Sequence, residues 1–531
     1  MPILKMPTKL LYLNNKGKQE AEYSTSCLIL NAMFKYMFAS LLSIFGSCYA
    51  QQYKNNLAFN GNYFLYNDTF NFVLSDYQNG TPVHQYIDSS ELQMGTVSAL
   101  IADSAGQLIF YTNGFRIGNK NFKMIPGTDT LDYTSITNNW PSGQPTLNGA
   151  FFLPSLSNPN EILLFHKDWQ LNPFFNCLIF TSYNAWYTVL DKTMNNGLGG
   201  LVSRNNILYN TEMCRDGIQA VKHANGRDYW IVLQDFDTST FITFLYTPTG
   251  FYGPYFQNMT IPLYRCGSHN AIFNRQGTKY ATCSWNNNLM LFDFDRCSGQ
   301  FTYNNQVDTT YMFLGAIFCF SSTGNKIYRM DNGDKIYQYD TADVDFNISR
   351  DTVAIYDGYY DGDSTKFSTM YLAANDKIYI NASGTKYQHV INNPDAAGTA
   401  CNVVQHVINH NLILDLAFPN YINYDLGPLV GSPCDTLSVL TNTPNPLQGG
   451  LMQCFPNPAT NEVNIKINNV PLGNYTLSIY TPLANEVMHI EDKNTAKDFT
   501  KTLRVQSLAS GFYFVKLQVE GMEWYGRFVR E

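Results

Sequence analysis

Charge is scarce in this sequence, and the little there is does not gather. Asp, Glu, Lys and Arg make up 14% of its 531 residues. No cluster of Lys or Arg occurs that could follow a phosphate backbone, and a net charge of -8 likewise argues against a nucleic-acid partner. No CxxC pair is present, so zinc ribbons and thioredoxin-like redox chemistry are not expected. GxSxG, HExxH, a P-loop and a GxGxxG following a strand are also missing. The sequence therefore assigns no catalytic residue and calls for no cofactor. Nor does any apolar run reach the ~20 residues needed to cross a bilayer, so no transmembrane span is expected in the mature chain.

What is abundant is aromatic. Tyr (37) and Phe (36) supply most of an aromatic share of 15%, which favours pleated, half-buried surfaces and an all-β fold. The length allows two or three domains with ample core. Met37 to Ala50 (MFASLLSIFGSCYA) follows Lys35 and ends in the small-x-small pattern Cys48-Tyr49-Ala50, the form of a secretory signal peptide. The polar stretch before it fits no export signal, which points to Met33 or Met37 as the true start. Of 11 cysteines, Cys27 and Cys48 lie in or before that leader, so an odd number remains and at least one thiol stays free. Cys266 with Cys297 and Cys401 with Cys434 are the expected disulfides.

Between Tyr63 and Pro428 one idea recurs: an apolar strand, a polar turn, then an aromatic-rich strand. Its instances are ALIADSAGQLIFYTNG, AFFLPSLSNPNEILLFHKD, AVKHANGRDYWIVLQD, AIFNRQGTKYATCSW, AIFCFSSTGNKIYRMD and MYLAANDKIYINA, with turn residues Gly106, Asn160, Gly226, Gly277, Gly324 and Asp376. A period near 50 residues made of short strands is the signature of propeller blades. One longer interval is ascribed to an insertion around Asp191 to Arg204. Seven blades are expected, with six as the alternative. The seventh would be sealed by pairing Phe70 to Leu74 with Leu412 to Tyr424. A tail from Cys454 to Glu531 alternates apolar and polar residues at Val463 to Ile467, Tyr475 to Tyr480 and Phe512 to Val519, as strands of a small sandwich do. The expected organisation is thus an N-terminal extension and signal peptide at 1–50, a β-propeller at 51–433, a Pro- and Gly-rich linker at 434–453, and an Ig-like β-sandwich at 454–531.

Three blocks of that tail carry a resemblance. Pro456-Asn457-Pro458-Ala459-Thr460, the central LSIYTPLANEVM, and Leu508 to Val515 with the closing Arg527-Phe528-Val529-Arg530 are similar to the type A C-terminal sorting domain of the type IX secretion system of Gram-negative bacteria. The chain departs from that family at Leu483 to Glu486, where a glycine turn is usual, and at Cys454, where a tyrosine is. The resemblance implies the type IX machinery as partner, passage through the periplasm, and a secreted or cell-surface destination. Its sorting motif would comprise Pro456, Asn457, Pro458, Ala459, Gly511, Tyr513, Phe528 and Val529. The middle of the chain resembles propeller-bearing exported proteins that carry the same tail, through DSAGQLIFYTNG, AVKHANGRDYW, FDFDRCSG, GTACNVVQH and LGPLVGSPCDTL.

Among candidates for chemistry, His406 and His410 have the spacing of a helical zinc pair but sit in β-branched VVQHVINH without an adjacent glutamate, so a structural or solvent-exposed pair is the better reading. Lys222, His223, Arg227 and Asp228 fall on a turn that they would solvate. Two acidic loops are the better ion candidates, for calcium: Asp357, Asp361 and Asp363 in YDGYYDGDSTKF, and Asp331 and Asp334 in RMDNGDKIY. Neither matches the calcium-loop pattern. The leading functional expectation is a propeller that binds an extracellular protein or glycan through loops at one mouth. A hydrolase or lyase acting on polysaccharide or peptide in the central channel is the alternative, and a purely structural adhesin the third.

Overall fold

The computed structural model describes residues 53–61, 72–129, 131, 140, 142–171, 180–236, 238–261, 270–283, 289–307, 317–343, 345–346, 348, 350–417, 419–435, 452–467, 470–481, 485–519 and 522–531. The expected signal peptide lies outside them.

Among the described residues, antiparallel sheets follow one another in a ring. Blade one is three-stranded, Leu57–Gly61, Phe72–Asp76 and Val83–Ile87. Blade two holds Ala99–Asp103, Leu108–Thr112 and Ile117–Asn119, with Tyr53–Lys54 added beside the first of these. Blades three to seven are four-stranded and begin at Ala150–Pro154, Gln219–Lys222, Ile272–Phe273, Phe318–Phe320 and Thr369–Leu372. Apolar clusters join each blade to the next. The last of them matters most: Tyr371, Ala373, Tyr379 and Val390 of blade seven pack on Ala58 and Tyr77 of blade one, which closes the ring. Tyr77 and Tyr371 also share a hydrogen bond of 2.8 Å between their hydroxyls. The fold is a seven-bladed β-propeller.

The hairpin opening most blades is written in the same local code. Gly106, Gly226, Gly277, Gly324 and Asp376 all have φ between 65° and 82°. Each donates its N–H back to the residue three earlier, as Gly324 does to Ser321 at 3.0 Å. A left-handed residue at that point closes a short turn in step with the strand twist, which is why glycine recurs there. Asn274 completes its turn by accepting from Thr278 and Lys279 N–H at 2.9 Å each.

Several expectations need correction. Leu412 to Tyr424 adds no strand to the closing blade. Leu412 and Leu414 pack on Val73 instead, and blade one draws all its strands from the N-terminal side. The strand pairing is local, so the late segment is left free for another use. Asp191 to Arg204 is no insertion: Ala185–Asp191 and Gly200–Tyr209 are the two outer strands of blade three. The extra length falls instead between Lys167 and Ala185, where Gln170–Leu171 pairs with Phe180–Thr181. The turn at Asn160 does not use a left-handed residue.

The tail forms a separate sandwich. One sheet holds Gln453–Phe455, Glu462–Ile467 and Phe499–Arg504; the other holds Glu486–Asn494, Gly473–Tyr480, Gly511–Val519 and Met522–Arg530. Val463, Ile465, Leu477, Ile479, Val515 and Leu517 are buried between them, the inward positions of strands with period two.

Candidate functional site

The innermost strand of a blade has backbone groups on its axial edge with no neighbouring strand to pair. Here the chain itself fills that gap. After blade seven, residues 419–428 run along the inner strands, and their asparagines and tyrosines bond to them. Asn420 donates to the carbonyls of Ala150 (3.0 Å) and Ile218 (3.1 Å) and accepts from Gln219 Nε2 at 2.5 Å. Tyr421 donates to Leu57 O (2.8 Å), Asn423 to Arg275 O (2.7 Å) and Tyr424 to Phe152 O (2.8 Å). Asn55 reaches the carbonyl of Ile422 from the other end of the chain. Blades one, three, four and five are thereby tied to one segment.

Beside this segment a cavity of about 470 Å³ remains. Its wall is amide-rich, with Asn55, Asn56, Asn148, Asn274, Asn420 and Asn423 among its residues. Lys54, Arg275 and Asp425 bring the charges. Arg275 bonds Asp376 and donates to Ala373 O at 2.7 Å, spanning from the blade-five turn to the blade-seven turn. Cys319 also lines the cavity, and burial pushes its thiol up to about 12, so it is no nucleophile at neutral pH.

The turn of KHANGRDYW is a clasp for the departing chain. Arg296 donates to the carbonyls of Lys222 (2.8 Å), His223 (3.2 Å) and Gly427 (2.7 Å), while Leu429 N–H bonds Ala224 O at 2.8 Å. Asp228 receives Arg227 Nε at 2.7 Å and Asn225 Nδ2 at 2.8 Å. Burial, partly offset by Asp425, lowers the Lys222 ammonium to about 8. A Cys297–Cys434 disulfide locks the same corner. This corrects both expected pairings. Cys401 is a buried free thiol, and Cys266 lies outside the described residues. The resembling phrases AVKHANGRDYW, FDFDRCSG and LGPLVGSPCDTL thus meet at one place, a contact that their separation in sequence conceals.

His406 and His410 part company. His406 has φ of 54°, at a bulge in the strand Val403–Asn409, and meets Thr365 Oγ1 (2.8 Å) and the ring of His389. His410 is buried against Gln388 Oε1 (2.8 Å) and stacks edge-on with His84. Burial lowers His410 to about 3, and burial together with His406 lowers His389 to about 4.

The acidic loops satisfy their own surroundings. Asp357 accepts from Tyr359 N (3.0 Å) and lies 3.6 Å from His406 Nε2; Asp363 accepts from Ser364 N (2.6 Å) and also offers its carbonyl to Asp361 N (3.1 Å). Asp334 pairs with Lys366 (2.7 Å), and Asp331 accepts from Tyr337 (3.2 Å). Among the described residues, no group of three or more His, Cys, Asp or Glu side chains is placed to hold a metal ion. What the first loop does present is aromatic. Tyr360 and Tyr359 are 68% and 44% exposed, with Tyr359 packed on Tyr387 and His406.

In the tail the motif residues converge. Asn457 Oδ1 accepts from Val529 N (2.8 Å), Ala459 N–H donates to Val529 O (2.7 Å), and Glu531 N–H returns to Ala459 O (3.0 Å). Pro456 and Pro458 both follow cis peptide bonds. Tyr513 stacks on buried Phe528 with ring centres 5.5 Å apart, and Gly511 pairs with Arg530 at the sheet edge. The opening motif and the last residues of the chain are therefore one site.

No curated protein matches the sequence significantly. Among solved structures, a proposed 6-phosphogluconolactonase of Bacteroides fragilis shares 10% identity over 68% of this chain and 97% of its own, with a TM-score of 0.42. The Pseudomonas aeruginosa periplasmic gluconolactonase PpgL gives 11% over 68% and 96%, with a TM-score of 0.39. The β-propeller domain of Myceliophteria thermophila Cps50 (Swd1) gives 11% over 59% and 89%, with a TM-score of 0.33. Likeness at this level carries nothing about activity. The tail is different: residues 453–531 match the family of the secretion system C-terminal sorting domain, so this is a β-propeller protein that ends in a sorting domain for export.

Proposed function

We propose that the protein is an exported binding protein, carried by the type IX secretion system to the cell surface or beyond, whose ring engages an extracellular protein or glycan. The observation that carries the binding reading is the axial segment. Residues 419–428 occupy the place where a channel hydrolase would seat a polymer, and their asparagines and tyrosines bond the surrounding blades. The exposed tyrosines of the 356–365 loop supply the amphipathic rings that recognition surfaces favour. Export is supported by the clamp between Asn457, Ala459 and Val529, which gives a secretion receptor a folded edge to read rather than a linear peptide.

The test has two parts. Mass spectrometry of surface fractions from cells expressing the whole chain or a chain ending at 453 should find the ring outside only with the tail attached; equal surface amounts would overturn the export route. Tyr359→Ala with Tyr360→Ala should abolish binding in a screen of glycans and peptides without changing thermal stability. Turnover of a polysaccharide or peptide in the same screen would favour the hydrolase.

A further inference from the structure

The outer strands of blades six and seven, Asp351–Ile355 and Val403–Asn409, are bridged by Gln405, whose Nε2 donates to Ile355 O at 2.9 Å. Three rings gather beside this bridge. Tyr359 has its ring centre 4.7 Å from that of His406 and 5.5 Å from that of Tyr387, and its hydroxyl meets the Tyr387 hydroxyl at 3.2 Å. The backbone behind it is pinned: Tyr359 N–H donates to Asp357 Oδ1 (3.0 Å), and Tyr359 O accepts from Thr365 Oγ1 (3.0 Å) and from the Tyr356 hydroxyl. Tyr360, the most exposed of these rings, is tethered through its hydroxyl to Gly362 O at 2.8 Å. A partner would therefore meet an aromatic surface already in place, with little left to order on binding.

The charge around these rings has one sign. Asp357, Asp361 and Asp363 are all exposed, and among the described residues none of them pairs with a Lys or Arg. Neither the stretch 351–365 nor the strand Val403–Asn409 contains a Lys or Arg, and Lys366, which follows, is occupied by Asp334 at 2.7 Å. Lys386, next to Tyr387 in the chain, is one cation against three carboxylates. The Tyr387 hydroxyl registers the imbalance: its hydrogen bond with Tyr359 and the charge of Asp361 help push it up to about 12. These carboxylates are distributed around the rings rather than converged as metal ligands. Tyrosine faces carry negative charge in their quadrupole, so rings and carboxylates attract the same kind of group, a cation that can lie flat on one and pair with the other.

We infer that the loop surface built from Tyr359, Tyr360, Tyr387, Asp357 and Asp361 docks a basic segment of another extracellular protein, with its guanidinium groups set over the tyrosine rings and against the two carboxylates. This rests on the reading of the 356–365 loop as the recognition surface and names the chemistry of its partner.

Calorimetry of the full-length chain with a short Gly/Ser peptide carrying arginines, the same peptide with glutamine or glutamate in their place, a neutral malto-oligosaccharide and a glucosamine oligomer tests it. The arginine peptide should bind at least about tenfold more tightly than the glutamine peptide, and severalfold more weakly as NaCl is raised. Asp357→Asn with Asp361→Asn keeps the hydrogen-bond acceptors and removes both charges; it should weaken the arginine peptide by about tenfold at an unchanged melting temperature. Tyr360→Phe, which keeps the ring, should bind within about twofold of the unaltered chain, whereas Tyr360→Leu should lose about fivefold. Equal affinity for the arginine and glutamine peptides, or tighter binding of either oligosaccharide, would overturn the assignment. An oligosaccharide whose binding is lost in Tyr359→Ala with Tyr360→Ala would do so while leaving the loop as the recognition surface; arginine-peptide binding untouched by that double change would overturn both. Should the Asp variant fail to fold, the peptide series and its salt dependence on the unaltered chain decide alone.

Discussion

The ring and the tail sandwich are both antiparallel β structures drawn from the same residue types, yet they are closed in opposite ways. The sandwich encloses an aliphatic and aromatic core, and its last strand is held at an edge by the first residues of the module. The ring has apolar clusters between blades and a polar axis, and it is closed from within by a segment that arrives after all seven sheets are complete. Apolar burial is non-directional and tolerates exchange of similar side chains, whereas amide-to-backbone pairing at the axis demands particular residues at particular points. The two regions should therefore fail under different insults.

Removing the axial segment is the most severe. A chain ending at 416 strips partners from the carbonyls of Ala150, Ile218, Phe152 and Leu57 at once, so the ring should lose cooperative unfolding altogether. A chain ending at 435 keeps the segment and the disulfide, and should melt as the ring of the full protein does. Calorimetric scans of both truncations separate these outcomes.

Phe528→Ala comes next. Phe528 is fully buried beneath Tyr513, and its removal should cost the sandwich about 3–5 kcal/mol while leaving the ring transition in place. A shift of both transitions would show that the two regions are not independent.

Acid sharpens the contrast through sign. In the ring, burial lowers His166 and His410 to about 3 and His389 to about 4. Each stays neutral in the folded ring but takes up a proton near pH 6.5 once unfolded, so stability is intact above that pH and lost below it, by about 2 kcal/mol per histidine at pH 5. In the sandwich, Glu491 and Glu486 raise exposed His489, a contribution present in acid and lost as pH rises. The ring transition should thus fall steeply from pH 7 to pH 5 and the sandwich transition should not. His410→Gln should flatten the ring's slope by one proton.

The smallest effect belongs to a turn. A Cβ on Gly324, at φ of 73°, would sit 2.7 Å from Asn274 Nδ2 of the adjacent turn, so Gly324→Ala should cost about 1–2 kcal/mol in chemical denaturation. The sandwich would not register it.

Much of this was legible in the residues. The glycines at 106, 226, 277 and 324 announced the blade hairpins because a left-handed turn leaves few choices of residue. Alternation announced the sandwich strands because each has one dry face. Disulfide pairing was not legible, since Cys297 meets Cys434 only through the path of residues 427–434 along blade five. Nor was the axial cavity. Its asparagines stand one or two at a time in segments as distant as 55–56, 148 and 420–423, where each reads as a turn residue. The NYINYD string at 420–425, between the last strand of blade seven and the linker, was the one signal available, polar and aromatic at once and too long for a simple turn.

Sequence alone determined the kinds of sheet, the hairpin turns and the terminal sorting module, since these are settled by contacts between residues close along the chain or by a contiguous motif. Tertiary structure alone decided which blade completes the ring and where the departing chain runs. Those depend on the axial edges of several blades coming together, and the hydrogen-bonding demand they create exists only once the ring has closed.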